Sequence, residues 1–386
     1  MVKNSSEEST EKTKFLERHS TFRKVLKVAL IVILILAGLN LASYLRHYFA
    51  LDHGDLPEEY NVLSVEILIE DGGRLVWSPD GESLYYDKID PDAGKIDNVE
   101  VYTIYRYDFD SGKSKKLISS ENSDAPPGNK GQPTISPNGY WLLFQGEYED
   151  HEASRIWCHP GKGKHNNLWV MNVNTSELYQ LTDYGEYEGV LHPHFSPDGT
   201  KICFSHLYSG EGWSGSWQIR VADFSIEGGT PSLKNVKSVK PGAQEDEHTI
   251  FYETHDFSED GETLLFTSDI DTGAIGLSEI YTYDLDSEKL VRLTHSWECH
   301  DEHANYSPNK KKIIWISKMQ QQWALYRTDL LIMDADGDNK QMLVKSPGGI
   351  IADNDWSPDG TKIAFMNINF NQATNHDIYL VKLKGS

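Results

Sequence analysis

The sequence predicts an all-β protein: a six-bladed β-propeller, closed by an N-terminal strand and preceded by one transmembrane helix. Three observations carry this. First, one short pattern recurs six times: LVWSPDGESLYY (75–86), PTISPNGYWLLF (133–144), PHFSPDGTKICF (193–204), HDFSEDGETLLF (255–266), ANYSPNKKKIIW (304–315) and NDWSPDGTKIAF (354–365). Its serines are Ser78, Ser136, Ser196, Ser258, Ser307 and Ser357, spaced 49 to 62 residues apart, a period typical of propeller blades. Second, the last copy stops after a third strand, DIYLVKLKGS, while an extra strand, NVLSVEILIE (61–70), precedes the first copy. That strand can complete the sixth blade and remove the open edges of the ring. Third, 21 mostly apolar residues, 25–45, precede the repeats.

In chain order, residues 1–24 are polar and of mixed charge, and read as a cytoplasmic tail. Residues 25–45 are about as long as a helix needs to cross a bilayer. Arg23, Lys24 and Lys27 lie at the start of the segment and Arg46 alone follows it. The positive-inside rule therefore keeps the tail in the cytoplasm and places the rest outside, extracellular or periplasmic. The long polar lead and the lack of an A-x-A site favour a retained signal-anchor over a cleaved signal peptide. Residues 46–59 read as a linker and 60–386 as the propeller. Within each repeat, Pro presets φ, Asp or Asn tolerates the second corner and Gly accepts positive φ, so Ser-Pro-Asp-Gly reads as a hairpin turn. The turn joins an inner strand to a second strand. Third strands follow (TIYRYDFD, NLWVMNVN, WQIRVADF, EIYTYDLD, DLLIMDAD, DIYLVKLK), then short outer ones such as KKLIS and YQLTD.

The formal net charge is −23. Residues 1–46 hold eight Lys/Arg and four Asp/Glu, so the remainder is more acidic still and repels phosphate backbones; nucleic-acid binding is not expected. The three cysteines, Cys158, Cys203 and Cys299, form no CxxC. They read as inert thiols, with a Cys158–Cys299 pair as the alternative.

The WSPDG…I.F…DIY..D.D…LT grammar resembles the TolB-type, WD40-like (PD40) propeller repeat over about residues 60–383. The resemblance implies a propeller; the same repeat serves scaffolds, peptidase appendages and lyases, so it does not choose a function. No G-x-S-x-G elbow is present, and no length remains for an α/β-hydrolase domain.

The residues four and two before each repeat serine start the inner strands, beside the channel. Period-2 alternation turns them inward. They read Arg74/Val76, Gln132/Thr134, His192/His194, Thr254/Asp256, His303/Asn305 and Asp353/Asp355. From these, His192, His194, Asp256, His303, Asn305, Asp353 and Asp355 are candidate ligands of a divalent metal, Mn, Zn, Fe or Ca. A merely solvated channel would also be polar. Entry loops and the inserts between second and third strands share one face, here the upper face. The long insert 146–167 carries Arg155, Lys162 and Lys164, and nearby loops carry Trp213, Trp217, Trp297 and Trp323. These are candidate contacts to a protein, peptide or glycan. The tryptophans could equally pack the inserts onto the ring.

Two functions follow. One is a membrane-anchored binding or scaffold module that works through its upper face. The other is a metal-dependent carbohydrate-active enzyme at the channel mouth. His192-Pro193-His194 is similar to an H-P-H sequence in oligogalacturonate lyases. That resemblance implies a metal held by His192, His194 and His303, β-elimination, and Lys162, Lys164 or Arg155 as base or carboxylate clamp.

Overall fold

A computed structural model describes residues 25–35, 38, 51, 54–119, 121–148, 155–210, 212–243, 249–296, 299–318, 327–369 and 376–385. Two compact units separate: residues 1–50 with 320–323, and residues 51–319 with 324–386. In the first, residues 25–35 are helical. Apart from Gly38, the rest of the expected span lies outside the described residues. Among those, no helix is long and apolar enough to cross a membrane.

The second unit contains six four-stranded antiparallel sheets, which are the six blades. Blade one comprises Leu75–Trp77, Ser83–Ile89, Tyr102–Asp108 and Lys113–Lys116, and blade two Lys130–Ile135, Trp141–Glu147, Asn166–Asn172 and Leu178–Gln180. Blade three comprises Gly189–Phe195, Lys201–Ser209, Ser216–Glu227 and Thr230–Val239, and blade four Tyr252–Phe257, Thr263–Ser268, Glu279–Asp284 and Leu290–Arg292. Blade five comprises Asp301–Tyr306, Lys312–Ser317, Asp329–Asp334 and Gln341–Val344. Blade six takes Gly349–Trp356, Lys362–Asn369 and His376–Leu383, with Val62–Ile69 as its outer strand. Val65 pairs with Val381 and Ile67 with Tyr379, so the leftover strand closes the ring as the repeat accounting requires.

Each repeat serine is the hub of its turn. In blade one, Ser78 Oγ donates to Asp80 Oδ1 at 2.5 Å, while Ser83 N donates back to Ser78 Oγ at 2.9 Å. Gly81, Gly139, Gly199, Gly261 and Gly360 hold φ between +69° and +76°, where a Cβ is costly. Blade five departs: Lys310 fills that corner at φ +55°.

The apolar cores lie between blades. Ile314, Ile316, Leu330 and Ile332 of blade five pack with Ile351, Trp356, Phe365 and Val381 of blade six. Other blade neighbours repeat this arrangement, as Leu191, Cys203 and Ile219 of blade three do with Phe257, Leu264 and Phe266 of blade four. Cys158, Cys203 and Cys299 are all buried and no disulfide joins them, so the Cys158–Cys299 alternative does not hold.

Candidate metal centre in the propeller channel

The inner strands do not alternate strictly. In five blades the ladder to the second strand slips at one place: Gly131/Thr134, Leu191/His194, Thr254/Asp256, Glu302/Asn305 and Ala352/Asn354. Gln132, His192 and His303 sit in the left-handed region at φ +49°, +47° and +51°. Such a bulge re-aims side chains. It brings His192, Glu253, His255 and His303 together, with one ligand atom from each within 4.8 Å of the others. All four are buried.

Glu253 Oε1 stands 2.6 Å from His192 Nε2 and 3.6 Å from His303 Nδ1. The opposite edges of the imidazoles meet a second layer. His255 Nε2 is hydrogen-bonded to Thr267 Oγ1 at 2.6 Å. His303 Nε2 faces Glu302 Oε2 at 3.6 Å, and Glu302 pairs with His300 Nε2 at 2.9 Å. His192 Nδ1 faces Asp353 Oδ1 at 4.0 Å, and Asp353 pairs with Arg74 Nε at 3.5 Å. This is how proteins orient metal-binding imidazoles. His192 Nε2 also lies 2.7 Å from the Gln132 amide nitrogen. The amide and the Glu253 carboxyl thus compete for that one nitrogen.

The electrostatics suit a cation. Burial lowers His192 to about 4 and holds His255 well below the usual range, so both are neutral, lone-pair donors near neutral pH. Burial, followed by the Glu302 and Asp353 charges, pushes the Glu253 carboxyl well above its usual range. A divalent ion would relieve that cost. Burial also opposes ionisation of Glu302, but His300 and His303 more than offset it and hold Glu302 well below the usual range. Burial depresses His300, yet Glu302, Glu253 and Asp301 together outweigh it and raise His300 to about 9. Three nitrogens and one carboxylate fit Zn²⁺, Mn²⁺ or Fe²⁺. Ca²⁺, which takes oxygen ligands, matches this nitrogen-rich donor set less well.

Of the residues expected from sequence, the structure brings His192 and His303 into this cluster with Asp353 beside it. His194, Asp256, Asn305 and Asp355 lie outside the cluster, nearer the turns, because the bulge breaks the alternation assumed for them. Asp256 Oδ2 accepts from Tyr306 N at 3.3 Å and from Lys310 Nζ at 2.8 Å. Asp355 Oδ2 accepts from Trp77 N at 2.7 Å. Both aspartates therefore cement one blade to the next. Asn305 Nδ2 donates to Asn354 O at 2.7 Å, another such tie, and His194 is pushed down to about 3 by burial. Glu253 and His255 were missed. Their signal was Glu-Thr-His at 253–255, five and three residues before Ser258, positions that strict alternation discards.

A cavity of about 330 Å³ is lined at one end by Arg74, Gln132, His192 and His303, and at the other by Pro79, Pro137, Pro197, Pro308 and Pro358 of five repeat turns. It therefore extends toward the turn face. At the upper face Pro160 and Gly161 of the blade-two insert lie against the inner strands of blades two and one. Added Cβ atoms at Gly131 and Gly161 would overlap Pro160 and the Arg74 guanidinium. Burial, then Arg74, lowers Lys162 to about 8. The cavity thus reaches the turn face, whereas the sequence reading places the ligand contacts on the upper face.

The other expected ligand contacts scatter. Arg155 pairs with Glu147 and, at 3.1 Å, with Asp97. Lys164 is buried 5.6 Å from the Tyr187 ring centre. Trp217 is buried and its Nε1 donates to Gly212 O at 3.0 Å, so it packs an insert onto the ring instead of presenting a surface. Trp297, Trp323 and the Trp213 side chain lie outside the described residues. The exposed aromatic and aliphatic side chains near there are Ile156 and Trp157 of the blade-two insert, Tyr187 of the blade-three entry loop and Tyr208 at a strand end.

No protein-family model matches the sequence, and no curated protein matches it. Solved structures do match. TolB from Acinetobacter baumannii aligns with 16% identity and a TM-score of 0.50 over 86% of this chain and 66% of that one, so the chain spans just under two thirds of that protein. A putative TolB from Agrobacterium tumefaciens aligns with 18% identity and a TM-score of 0.52 over 83% of this chain and 98% of that one. An oligogalacturonate lyase from Vibrio parahaemolyticus aligns with 11% identity and a TM-score of 0.49, covering 82% and 93%. At these identities the likeness to TolB concerns the fold.

Proposed function

We propose that this protein is a membrane-anchored, extracytoplasmic propeller whose channel binds a divalent transition-metal ion, and that this centre, with the cavity beside it, is its functional site. The observation that carries the reading is the buried His192, Glu253, His255 and His303 cluster with one donor atom each within 4.8 Å. Those four residues would hold the ion. When bound, the ion supplies Lewis acidity toward an oxygen of the ligand. The protein's own part is orientation: Thr267 fixes His255, Glu302 with His300 fixes His303, and Asp353 with Arg74 faces His192. The apolar segment 25–45 supports the anchor and the charge asymmetry around it supports the orientation.

Enzyme action on a carbohydrate belongs to this reading, with changed residues. Arg155, Lys162 and Lys164 do not line the cavity; Arg74 and Lys310 do. These two are the cations placed to meet a ligand there. A second reading, a scaffold for protein, peptide or glycan, is favoured by one observation. Ile156 and Trp157 of the blade-two insert, Tyr187 of the blade-three entry loop and Tyr208 at the end of its second strand are exposed.

The test is elemental mass spectrometry of the full chain purified without added metal, with thermal melting before and after chelation. Near-stoichiometric Mn, Zn or Fe, lost in His255→Ala and kept in Asp355→Asn, is the expected result. An ion-free protein that takes up none of the three on titration sinks the metal reading and leaves the scaffold.

A further inference from the structure

The outer strands of the blades form the rim of the ring, and five of the six are guarded. Those of blades one, two, four and five are short: Lys113–Lys116, Leu178–Gln180, Leu290–Arg292 and Gln341–Val344. The first of these also carries Lys113, Lys115 and Lys116. Blade three has the long outer strand Thr230–Val239, but it presents Lys234 and Lys237, and its ladder slips beside Asn235, which sits at φ +49°. Short length, lysines and bulges are the usual means of stopping a free edge from pairing with another chain.

Blade six differs. Its outer strand, Val62–Ile69, is eight residues long and carries one charged residue, Glu66. Among the described residues it has one neighbour, His376–Leu383, so its far edge is unpaired. The ladder runs without a slip from Ser64 to Ile67. Leu63, Val65 and Ile67 are 65%, 38% and 49% exposed. Val65 pairs with Val381 and Ile67 with Tyr379, so these two share the face of the sheet that packs on blade five. Ring closure accounts for the length of the strand. It does not account for three large apolar side chains left in water along an open edge.

The strand fits a copy of itself. Two such edges related by a two-fold axis pair antiparallel, and one residue then faces its own counterpart. An axis at Glu66 would set two carboxylates directly opposite each other, which is destabilising. An axis at Val65 sets Val65 opposite Val65, Ser64 opposite Glu66 and Leu63 opposite Ile67. Apolar side chains then meet apolar ones, no like charges meet, and residues 62–68 all find a partner. Glu66 keeps its ion pair, 2.6 Å from Lys382. We propose that this edge is a self-association surface, where two copies join blade six to blade six in one continuous eight-stranded sheet. A contact of one strand per copy belongs with small, transient interfaces, so the association is reversible.

The test is sedimentation velocity of the full chain in a neutral detergent over rising protein concentration. A monomer–dimer equilibrium is expected; a chain that stays monomeric to roughly 100 µM overturns the second copy as the occupant. Val65→Lys sets like charges opposite each other and should weaken association about tenfold or more, and Ile67→Lys should weaken it in the same direction. Either variant, melting like the parent and still forming the dimer, overturns the edge and moves the contact elsewhere in the chain. Each copy carries a net charge of −23, so added salt should strengthen the dimer; weakening would mean a charged contact and overturn the proposal. Disulfide trapping reads the register, since Cys158, Cys203 and Cys299 are buried. Directly opposed Cβ atoms lie about 4.5–5.5 Å apart, near disulfide reach. Mild oxidation should link Val65→Cys chains to each other, and Leu63→Cys chains to Ile67→Cys chains but not to themselves. Leu63→Cys chains that link to each other as readily as Val65→Cys chains overturn the two-fold pairing.

Discussion

Lys310 offers the sharpest test of how the repeat and the channel constrain each other. Five turns place glycine at this corner, and blade five places a lysine at φ +55°. A left-handed, non-glycine residue costs about 1–2 kcal/mol, and glycine would return roughly half of that after its own loss of chain entropy. Against this stands the ammonium, which donates to Asp256 Oδ2 at 2.8 Å and to Phe257 O at 3.0 Å. The lysine and aspartate side chains are 20% and 19% exposed. Charge-assisted hydrogen bonds of this kind contribute about 1.5–3 kcal/mol. The pair outweighs the strain, so Lys310→Gly should destabilise by about 1 kcal/mol, and Lys310→Met, which keeps the strain, by roughly 1 kcal/mol more. The assay is denaturant unfolding of the full chain, with Asp256→Asn completing a double-mutant cycle. A coupling of about 1–2 kcal/mol is expected. A Lys310→Gly protein more stable than the parent, or a coupling below roughly 0.5 kcal/mol, would refute the reasoning.

Four further outcomes are expected. Saturating Zn²⁺ or Mn²⁺ at about a hundred times its Kd should stabilise the protein by about 2.7 kcal/mol; Glu253→Gln should reduce this gain, as read by melting with and without the ion. Burial raises Asp355 to about 7 from an ordinary 3.8, so the folded chain holds one more proton than the unfolded chain between those values. That contribution is complete below 3.8 and is lost as pH rises toward 7, by up to about 1.4 kcal/mol per pH unit; Asp355→Asn should remove this slope from a pH series of unfolding midpoints. Trp217→Ala should cost about 3–5 kcal/mol, since a fully buried indole and its bond to Gly212 are lost; a melting point within a degree of the parent would count against its packing role. Deleting residues 51–69 should expose the edge of strand His376–Leu383 and make blade six the first target of limited proteolysis.

The fold was legible because it is written in local chemistry. Ser-Pro-Asp-Gly specifies a turn wherever it occurs, six copies at a regular period specify blades, and one unpaired strand at each end specifies closure. Part of the site was legible for the same reason: His192 and His303 stand at a fixed offset from their turns. Glu253 and His255 were not, because a bulge in the inner strand breaks the two-residue period, and bulges arise from the fit of one blade against the next. Nor could sequence separate ligand from mortar. Asp256 and Asp355 looked like metal ligands until the neighbouring blades supplied the Tyr306 and Trp77 amides that occupy them. How the blade-two insert packs over the inner strands was likewise beyond the sequence. Gly161 of the blade-two insert lies against Arg74 of blade one, and that contact joins residues from separate blades. Local pattern determined the strands and turns; which side chains meet in the middle was decided by closing the ring.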